Sequence, residues 1–158
     1  MQISEASTDN QIALVRTLFR EYAESIGIDL SFQGFETEFQ GLPGKYSPPG
    51  GGLFLATEGE SPLGCVALRP LDIPGAAELK RLYVRPIARG RGIGSALTLR
   101  AIQRARDARY ASIRLDTLSS MQNAQTLYRK LGFKEIPPYT FNPFPHTTFM
   151  ELQLGGAA

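Results

Sequence analysis

The sequence is poor in the residues that build disulfides and metal sites. Among its 158 residues it has one cysteine, Cys65, and one histidine, His146. A single cysteine cannot form an internal disulfide, and these two residues do not make the cluster of soft ligands that zinc needs. We therefore expect no bound transition metal, and a core position for Cys65 in its apolar run.

Long apolar runs are missing as well. The sequence has no stretch of about 18 apolar residues that would span a bilayer. Its first residues, MQISEASTDNQ, lack the basic and apolar regions of a secretory signal. We expect a cytoplasmic protein without a membrane partner, with one domain over residues 1–154 and a frayed tail at 155–158.

Acidic residues are nearly absent from one part of the chain. Residues 80–114 carry ten basic residues and one acidic residue, whereas residues 1–79 carry four basic and eleven acidic residues. This asymmetry predicts a polyanion held by the middle of the chain and a cation attracted by the first part. For Arg100, Arg104, Arg106 and Arg109 we expect a solvated helix face instead.

Strand-like and helix-like patterns alternate along the chain and predict a mixed α/β (α+β) fold with one βαβ crossover. Thr8-x-x-Gln11 and Ser119-x-x-Gln122 have the form of capping boxes, and Gly27 and Gly132 stand where helices end. The predicted strands cover 2–5, 53–57, 63–69, 77–84, 112–116, 133–136 and 147–154. The predicted helices cover about 9–26, 33–40, 93–109 and 120–131.

Glycines and arginines alternate in RGRGIG, residues 89–94, directly before the third predicted helix. A helix N-terminus attracts phosphate, and glycines there leave its N–H groups unobstructed. A P-loop is excluded, because Ser95 stands where that motif needs lysine after Gly94. The dinucleotide fingerprint fails on glycine spacing, although Asp116, about 20 residues on, keeps that alternative open.

The segment also fits the pattern [RQ]-x-x-G-x-[GA], and RLDT at 114–117 and NAQTLYRKLGF at 123–133 follow it. In this order and spacing, residues 53–135 resemble the GCN5-related N-acetyltransferase (GNAT) superfamily. The resemblance implies a central mixed, mostly antiparallel sheet flanked by about four helices. It also implies acetyl-CoA as co-substrate and a primary amine of a small molecule or peptide as acceptor, joined by direct attack in a ternary complex.

The resemblance further implies a set of coenzyme contacts. Backbone groups at the end of the fourth strand would pair with the pantetheine arm, the glycine loop and the following helix start would bind the diphosphate, and an amide on the last helix would assist. These residues are Leu82, Tyr83, Val84, Arg89, Gly90, Arg91, Gly92, Ile93, Gly94, Ser95 and Asn123.

Acetyl transfer to an amine needs a proton acceptor for the amine and a proton donor for the departing thiolate. By resemblance, Tyr128 in the LYRKLGF segment is the donor. Glu78, on the strand before the loop, is the candidate acceptor. Two alternatives to that role stay open: Glu78 pairs with a neighbouring Lys or Arg, or water alone takes the proton.

Aromatic and polar residues in segments that border the acceptor side of similar folds complete the predicted site: Tyr22, Phe32, Phe35, Tyr46, Tyr139, Phe141, Asn142 and Phe144. We expect His146 to face solvent. The rival functions are a CoA-binding sensor of the same fold and a nucleic-acid binder that uses residues 80–114, but the latter lacks an aromatic stacking platform. We expect no nucleic-acid partner, and a homodimer is left open.

Overall fold

A seven-stranded sheet organises the computed structural model, which describes residues 1–27, 34–118 and 120–155. Its strands are β1 (Gln2–Glu5), β2 (Gly52–Glu58), β3 (Ser61–Pro70), β4 (Ala76–Val84), β5 (Ser112–Thr117), β6 (Lys134–Ile136) and β7 (Thr148–Gln153). The helices are α1 (Asp9–Ile26), α2 (Phe35–Gln40), α3 (Ile93–Asp107) and α4 (Gln122–Lys130). Phe32, Gln33, Ser119 and tail residues 156–158, which figured in the predictions, lie outside the described residues.

The strand order is β1-β2-β3-β4-β5-β7-β6. Neighbouring strands are antiparallel except β4 and β5, which are parallel and joined through α3. A parallel pair needs such a crossover, because its second strand must start again at the same end of the sheet. The predicted mixed, mostly antiparallel sheet with four helices is confirmed.

Two apolar layers cover the faces of the sheet. On one face α3 and α4 bury Leu97, Ala101 and Tyr128 against strand residues such as Leu79. On the other face α1 and α2 bury residues such as Phe19 against the opposite side of the same strands. Alternation along the strands sends successive side chains to opposite layers, so each strand supplies both cores.

Side-chain capping explains where α1 begins but not where α4 begins. At α1 the predicted box forms: the Gln11 N–H donates to Thr8 Oγ1 at 3.2 Å, and the Thr8 N–H donates to Gln11 Oε1 at 3.1 Å. At α4 the predicted box is wrong, because the N-cap residue is Met121 and makes no side-chain cap bond. A turn in which the Met121 N–H donates to the Leu118 carbonyl delays the start of this helix.

The charge asymmetry of the sequence is balanced inside the molecule. Acidic residues of the first part pair with arginines of the middle: Glu5 with Arg104, Glu21 with Arg85, Glu38 with Arg81 and Glu58 with Arg91. The predicted solvated face is wrong for Arg104, which is mostly buried and also donates to the Gly51 carbonyl. Arg106 and Arg109 are exposed as predicted, although Arg106 also donates to the Leu154 carbonyl. No described helix is long and apolar enough to cross a membrane.

Replacing Leu97 with alanine tests the core between the sheet and α3. Leu97 is fully buried, so Leu97→Ala should lower the free energy of unfolding by about 2–5 kcal/mol, measured by urea denaturation. Leu99→Ala on the same helix is the matched control, because Leu99 is 51% exposed, and it should change stability by less than about 0.5 kcal/mol. Equal effects of the two variants would contradict this packing.

Candidate active site

The strands β4 and β5 separate soon after they meet. They pair at three positions, Ala76 with Ser112, Ala77 with Ile113 and Glu78 with Arg114. Beyond these, β4 continues to Val84 while β5 stays paired with β7 as far as Thr117. The edge of β4 that faces β5 is therefore open from Leu79 onward, and a cleft lies between the two strands.

A β-bulge in β4 accompanies the separation. Cys65 pairs with Tyr83 and Ala67 with Lys80, so two steps on β3 face three on β4. Arg81 supplies the extra residue and has a positive φ of 61°. Its guanidinium, 2% exposed, donates to both Glu38 oxygens at 3.0 and 3.1 Å. A bulge of this kind bends a strand and increases its twist, which turns β4 away from β5.

The sequence analysis missed this bulge, although a signal for it exists. The residues of β4 in or against the α3/α4 layer are Ala77, Leu79, Leu82 and Val84, which stand two, three and two positions apart. A regular strand keeps a spacing of two throughout. The single step of three marks the extra residue.

Tyr128 lies in the cleft between the separated strands. The cavity there measures about 40 Å³, which is room for a few waters. Its lining comes from α1, β4, β5 and α4: Tyr22, Leu79, Lys80, Arg81, Leu82, Asp116, Thr117, Met121, Ala124 and Tyr128. Burial raises the pKa of Tyr128, so its hydroxyl is protonated at neutral pH.

The glycine loop joins β4 to α3 beside this cleft. Gly90 and Gly92 have φ of 81° and 76°, and a Cβ at either position would meet nothing within 4 Å. These two glycines are therefore needed for their left-handed backbone, and the space where their side chains would stand is open. Gly92 is the N-cap residue of α3 and makes no side-chain cap bond, so the first N–H groups of α3 point toward the loop.

The other predicted coenzyme residues surround this loop. Gly94 lies in the first turn of α3 against Leu127 and Val84, and a Cβ there would meet them at 3.5 and 3.7 Å, which are ordinary contact distances. The Arg89 Nε–H donates to the Val84 carbonyl at 3.1 Å, and Arg91 pairs with Glu58 at 2.6 Å. Ile93 is buried and Ser95 half-buried in the first turn of α3, while Asn123 is exposed in the first turn of α4.

Glu78 lies outside this cavity lining, in a row of alternating charges across five strands. Neighbouring positions in the row, from β3 to β6, are Arg69, Glu78, Arg114, Glu151 and Lys134. The Glu78 side chain is 2% exposed, with Arg69 at 2.8 Å and Lys80 Nζ at 3.8 Å. Its other oxygen accepts the Tyr139 hydroxyl at 2.6 Å.

These partners determine the protonation of Glu78. Burial acts to raise its pKa, but the Lys80 charge, the Tyr139 hydroxyl and Arg69 together hold the pKa below the ordinary value of 4.5. A carboxylate with a lowered pKa is a weak proton acceptor near neutral pH. The geometry matches the alternative in which Glu78 pairs with neighbouring cations, and its role as the base stays a prediction.

The loop between β6 and β7 covers the same face of the sheet. Arg114 lies 5.5 Å from the centre of the Tyr139 ring, and the Tyr139 hydroxyl reaches Glu78. Farther along the loop, Asn142 Nδ2 donates to Asp116 at 3.2 Å. His146 is exposed and Cys65 is buried, both as expected. Asp116, considered above only as a ribose-binding acid, thus lines the cleft that also holds Tyr128.

Comparisons with known proteins identify the family and the fold of the chain. Residues 13–133 match the acetyltransferase (GNAT) family. An uncharacterized N-acetyltransferase of Schizosaccharomyces pombe is 38% identical over 155 residues, which are 98% of this chain and 95% of that protein. A GNAT-family acetyltransferase structure from Staphylococcus aureus aligns with a TM-score of 0.79 at 21% identity, covering 97% of this chain and 98% of that one.

A further structure, of a Salmonella typhimurium protein with its cofactor acetyl-CoA, aligns with a TM-score of 0.74 at 20% identity, covering 99% of this chain and 96% of that one. The strand separation, the loop before α3 and the tyrosine of α4 thus occur in a chain whose overall fold is that of acetyltransferases. The chain belongs to the GNAT acetyltransferase family.

Glu78→Gln tests the charge row. The variant leaves Arg69 and Lys80 without their carboxylate and should lower the free energy of unfolding by about 3 kcal/mol at pH 7. Because the folded-state pKa of Glu78 is below 4.5, its carboxylate stabilises the fold fully above pH 4.5, and this contribution is lost as the pH falls through the folded-state pKa.

Denaturation from pH 7 to pH 3 should therefore show that the difference in free energy of unfolding between wild type and Glu78→Gln becomes smaller below about pH 4.5. Glu135→Gln is the control, since Glu135 is exposed on β6. A difference in free energy of unfolding that grows as the pH falls would contradict the ion pairing of Glu78.

Proposed function

We propose that this protein is an N-acetyltransferase that moves the acetyl group of acetyl-CoA to a primary amine of a small molecule or peptide, by direct attack in a ternary complex. The observation that carries the proposal is the cleft between β4 and β5, which has a buried tyrosine in it and a glycine loop leading to an uncapped helix start beside it. The names of similar proteins and the acetyl-CoA of the Salmonella protein support it.

The described residues fit the coenzyme. The edge of β4 is not paired with β5 beyond Glu78, so an extended arm can add there like another strand at the level of Leu82, Tyr83 and Val84. The N–H groups of Ile93, Gly94 and Ser95 suit a diphosphate. Arg89 and Arg91 add positive charge beside the loop, and Asn123 offers an amide near the cleft.

Acetyl-CoA, when bound, supplies an acetyl group activated as a thioester. In our proposal the Tyr128 hydroxyl holds the proton that the leaving thiolate takes, and the surrounding cavity keeps water from the reacting carbon. We propose a positioning role for Glu78, which holds Tyr139, and so the β6–β7 loop, against the sheet. A covalent acyl-enzyme is not part of the proposal, because burial raises the pKa of Cys65 and disfavours its thiolate.

Arg89→Ala tests the diphosphate site. Loss of one charge-assisted contact should weaken acetyl-CoA binding about tenfold, measured by calorimetry. Arg109→Ala is the control, because Arg109 is exposed just beyond the opposite end of α3, and it should leave the affinity unchanged. Wild-type affinity in Arg89→Ala would remove Arg89 from the site.

Tyr128→Phe tests the chemistry. Removing the proton donor should lower turnover by about 10²–10⁴-fold while acetyl-CoA affinity stays within twofold of wild type. Turnover is followed by release of free CoA thiol over a library of amines. Tyr110→Phe is the control, because the Tyr110 hydroxyl donates to the Gly50 carbonyl away from the cleft.

Unchanged turnover in Tyr128→Phe would exclude Tyr128 from the mechanism. Wild-type protein that binds acetyl-CoA but acetylates no amine in the library would favour the CoA-binding sensor instead.

A further inference from the structure

The bulge residue of β4 has a disfavoured backbone conformation. Arg81 has a φ of 61°, in the left-handed region that glycine adopts freely and that residues with a side chain adopt rarely. Such a conformation persists only where neighbouring groups hold it, and it often occurs at functional sites. The contacts that hold Arg81 are therefore also the contacts that hold the bend of β4 beside the cleft.

Arg81 is held both by its backbone and by its side chain. Its carbonyl accepts the Cys65 thiol at 3.5 Å, but a thiol is a weak donor. Its guanidinium donates from Nε and Nη2 to both carboxylate oxygens of Glu38, at 3.0 and 3.1 Å. Hydrogen bonds between two charged groups are roughly twice as strong as those between neutral groups. Of these contacts, the ion pair with Glu38 is the stronger.

The ion pair is also shielded from water. The Arg81 side chain is 2% exposed and the Glu38 side chain is 13% exposed. The guanidinium lies 5.8 Å from the centre of the Tyr22 ring on α1 and 5.4 Å from that of the Phe35 ring on α2. A buried charge that loses its partner is strongly destabilised. Without the Glu38 carboxylate, the Arg81 side chain would therefore move toward solvent and draw its backbone with it.

The bend determines the orientation of the residues that follow it. Leu82 and Val84 pack against the α3/α4 layer, whereas Tyr83 belongs to the layer of α1 and α2. In a strand without the extra residue, Leu82 and Val84 would lie on the face opposite Leu79. Backbone groups alternate between the two edges of a strand in the same way, so the bulge also determines which amides of residues 82–84 face the cleft.

Glu38 itself is remote from the predicted coenzyme residues. It lies on α2, which packs on the opposite side of the sheet from α3 and α4. It is not among the described residues that line the cavity with Tyr128. An effect of Glu38 on coenzyme binding would therefore pass through Arg81 and β4.

We infer that Glu38 is a positioning residue for acetyl-CoA: by holding Arg81, it keeps β4 in the bent form that binds the coenzyme. This inference rests on the proposed function, because it takes β4 as the strand that pairs with the coenzyme. When only a fraction of the molecules has the binding form, the measured Kd is raised by the inverse of that fraction. Loss of the Glu38 carboxylate should therefore weaken coenzyme affinity and not only lower stability.

Glu38→Gln tests the inference by calorimetry with acetyl-CoA. The variant keeps the size of the side chain but removes its charge, and it should bind acetyl-CoA about tenfold more weakly than wild type. Glu5→Gln is the matched control, because Glu5 accepts two bonds from Arg104, at 2.7 and 2.9 Å, between β1 and α3. Urea denaturation should show a loss of stability in both variants, but Glu5→Gln should bind acetyl-CoA within about twofold of wild type.

A double-mutant cycle tests the route through Arg81. Arg81→Gly removes the guanidinium and lets residue 81 keep its positive φ without strain. In that background Glu38→Gln should change the affinity for acetyl-CoA by less than about twofold, because Glu38 no longer has an arginine to hold. The same loss of affinity in both backgrounds would mean that Glu38 acts by another route, and it would overturn the inference.

The other outcomes are also decisive. Unchanged affinity in Glu38→Gln, or an equal loss in Glu5→Gln, overturns the positioning role and leaves the proposed function standing. Wild type that binds no acetyl-CoA overturns the proposed function and the inference with it. If Glu38→Gln does not fold, Glu38→Asp replaces it, because aspartate keeps the charge but is one methylene shorter. It should bind acetyl-CoA about threefold more weakly, and wild-type affinity in it would overturn the inference.

Discussion

The separation of β4 from β5 is the constraint on which the rest of this structure depends. Three paired positions hold the strands together at one end, and the Arg81 bulge turns β4 aside beyond them. The bulge itself is held by the buried ion pair of Arg81 with Glu38 of α2. A helix on one face of the sheet thus stabilises the shape of a cleft whose tyrosine comes from the opposite face.

Many of the charged side chains around this cleft form ion pairs. Acidic residues from early in the chain neutralise arginines that come later, and the row from Arg69 to Lys134 alternates in sign across five strands. Most charges are therefore committed to the fold. Near the cleft, Asp116 on β5 accepts the Asn142 amide, and Arg89 of the loop before α3 donates to the Val84 carbonyl.

Local patterns predicted the elements well, because caps, glycine stops and apolar periodicity act over a few residues. The Thr8 box, Gly27 and the strand at residues 2–5 agree with the structure within a residue. Such patterns could not predict the environment of Glu78. Its neighbours Arg69, Arg114 and Tyr139 come close only through strand register and a loop distant in sequence. Asp116 was considered only as a ribose-binding acid, because its place in the cleft depends on where β4 turns away.

The central claim is that the open edge of β4 and the first turn of α3 bind the coenzyme through main-chain amides. Hydrogen exchange with and without acetyl-CoA measures this directly. The account predicts that the amides of residues 82–84 and 92–95 become protected on binding, while those of β1 and β2 do not change. Protection confined to other segments, with these amides still exchanging freely, would contradict it.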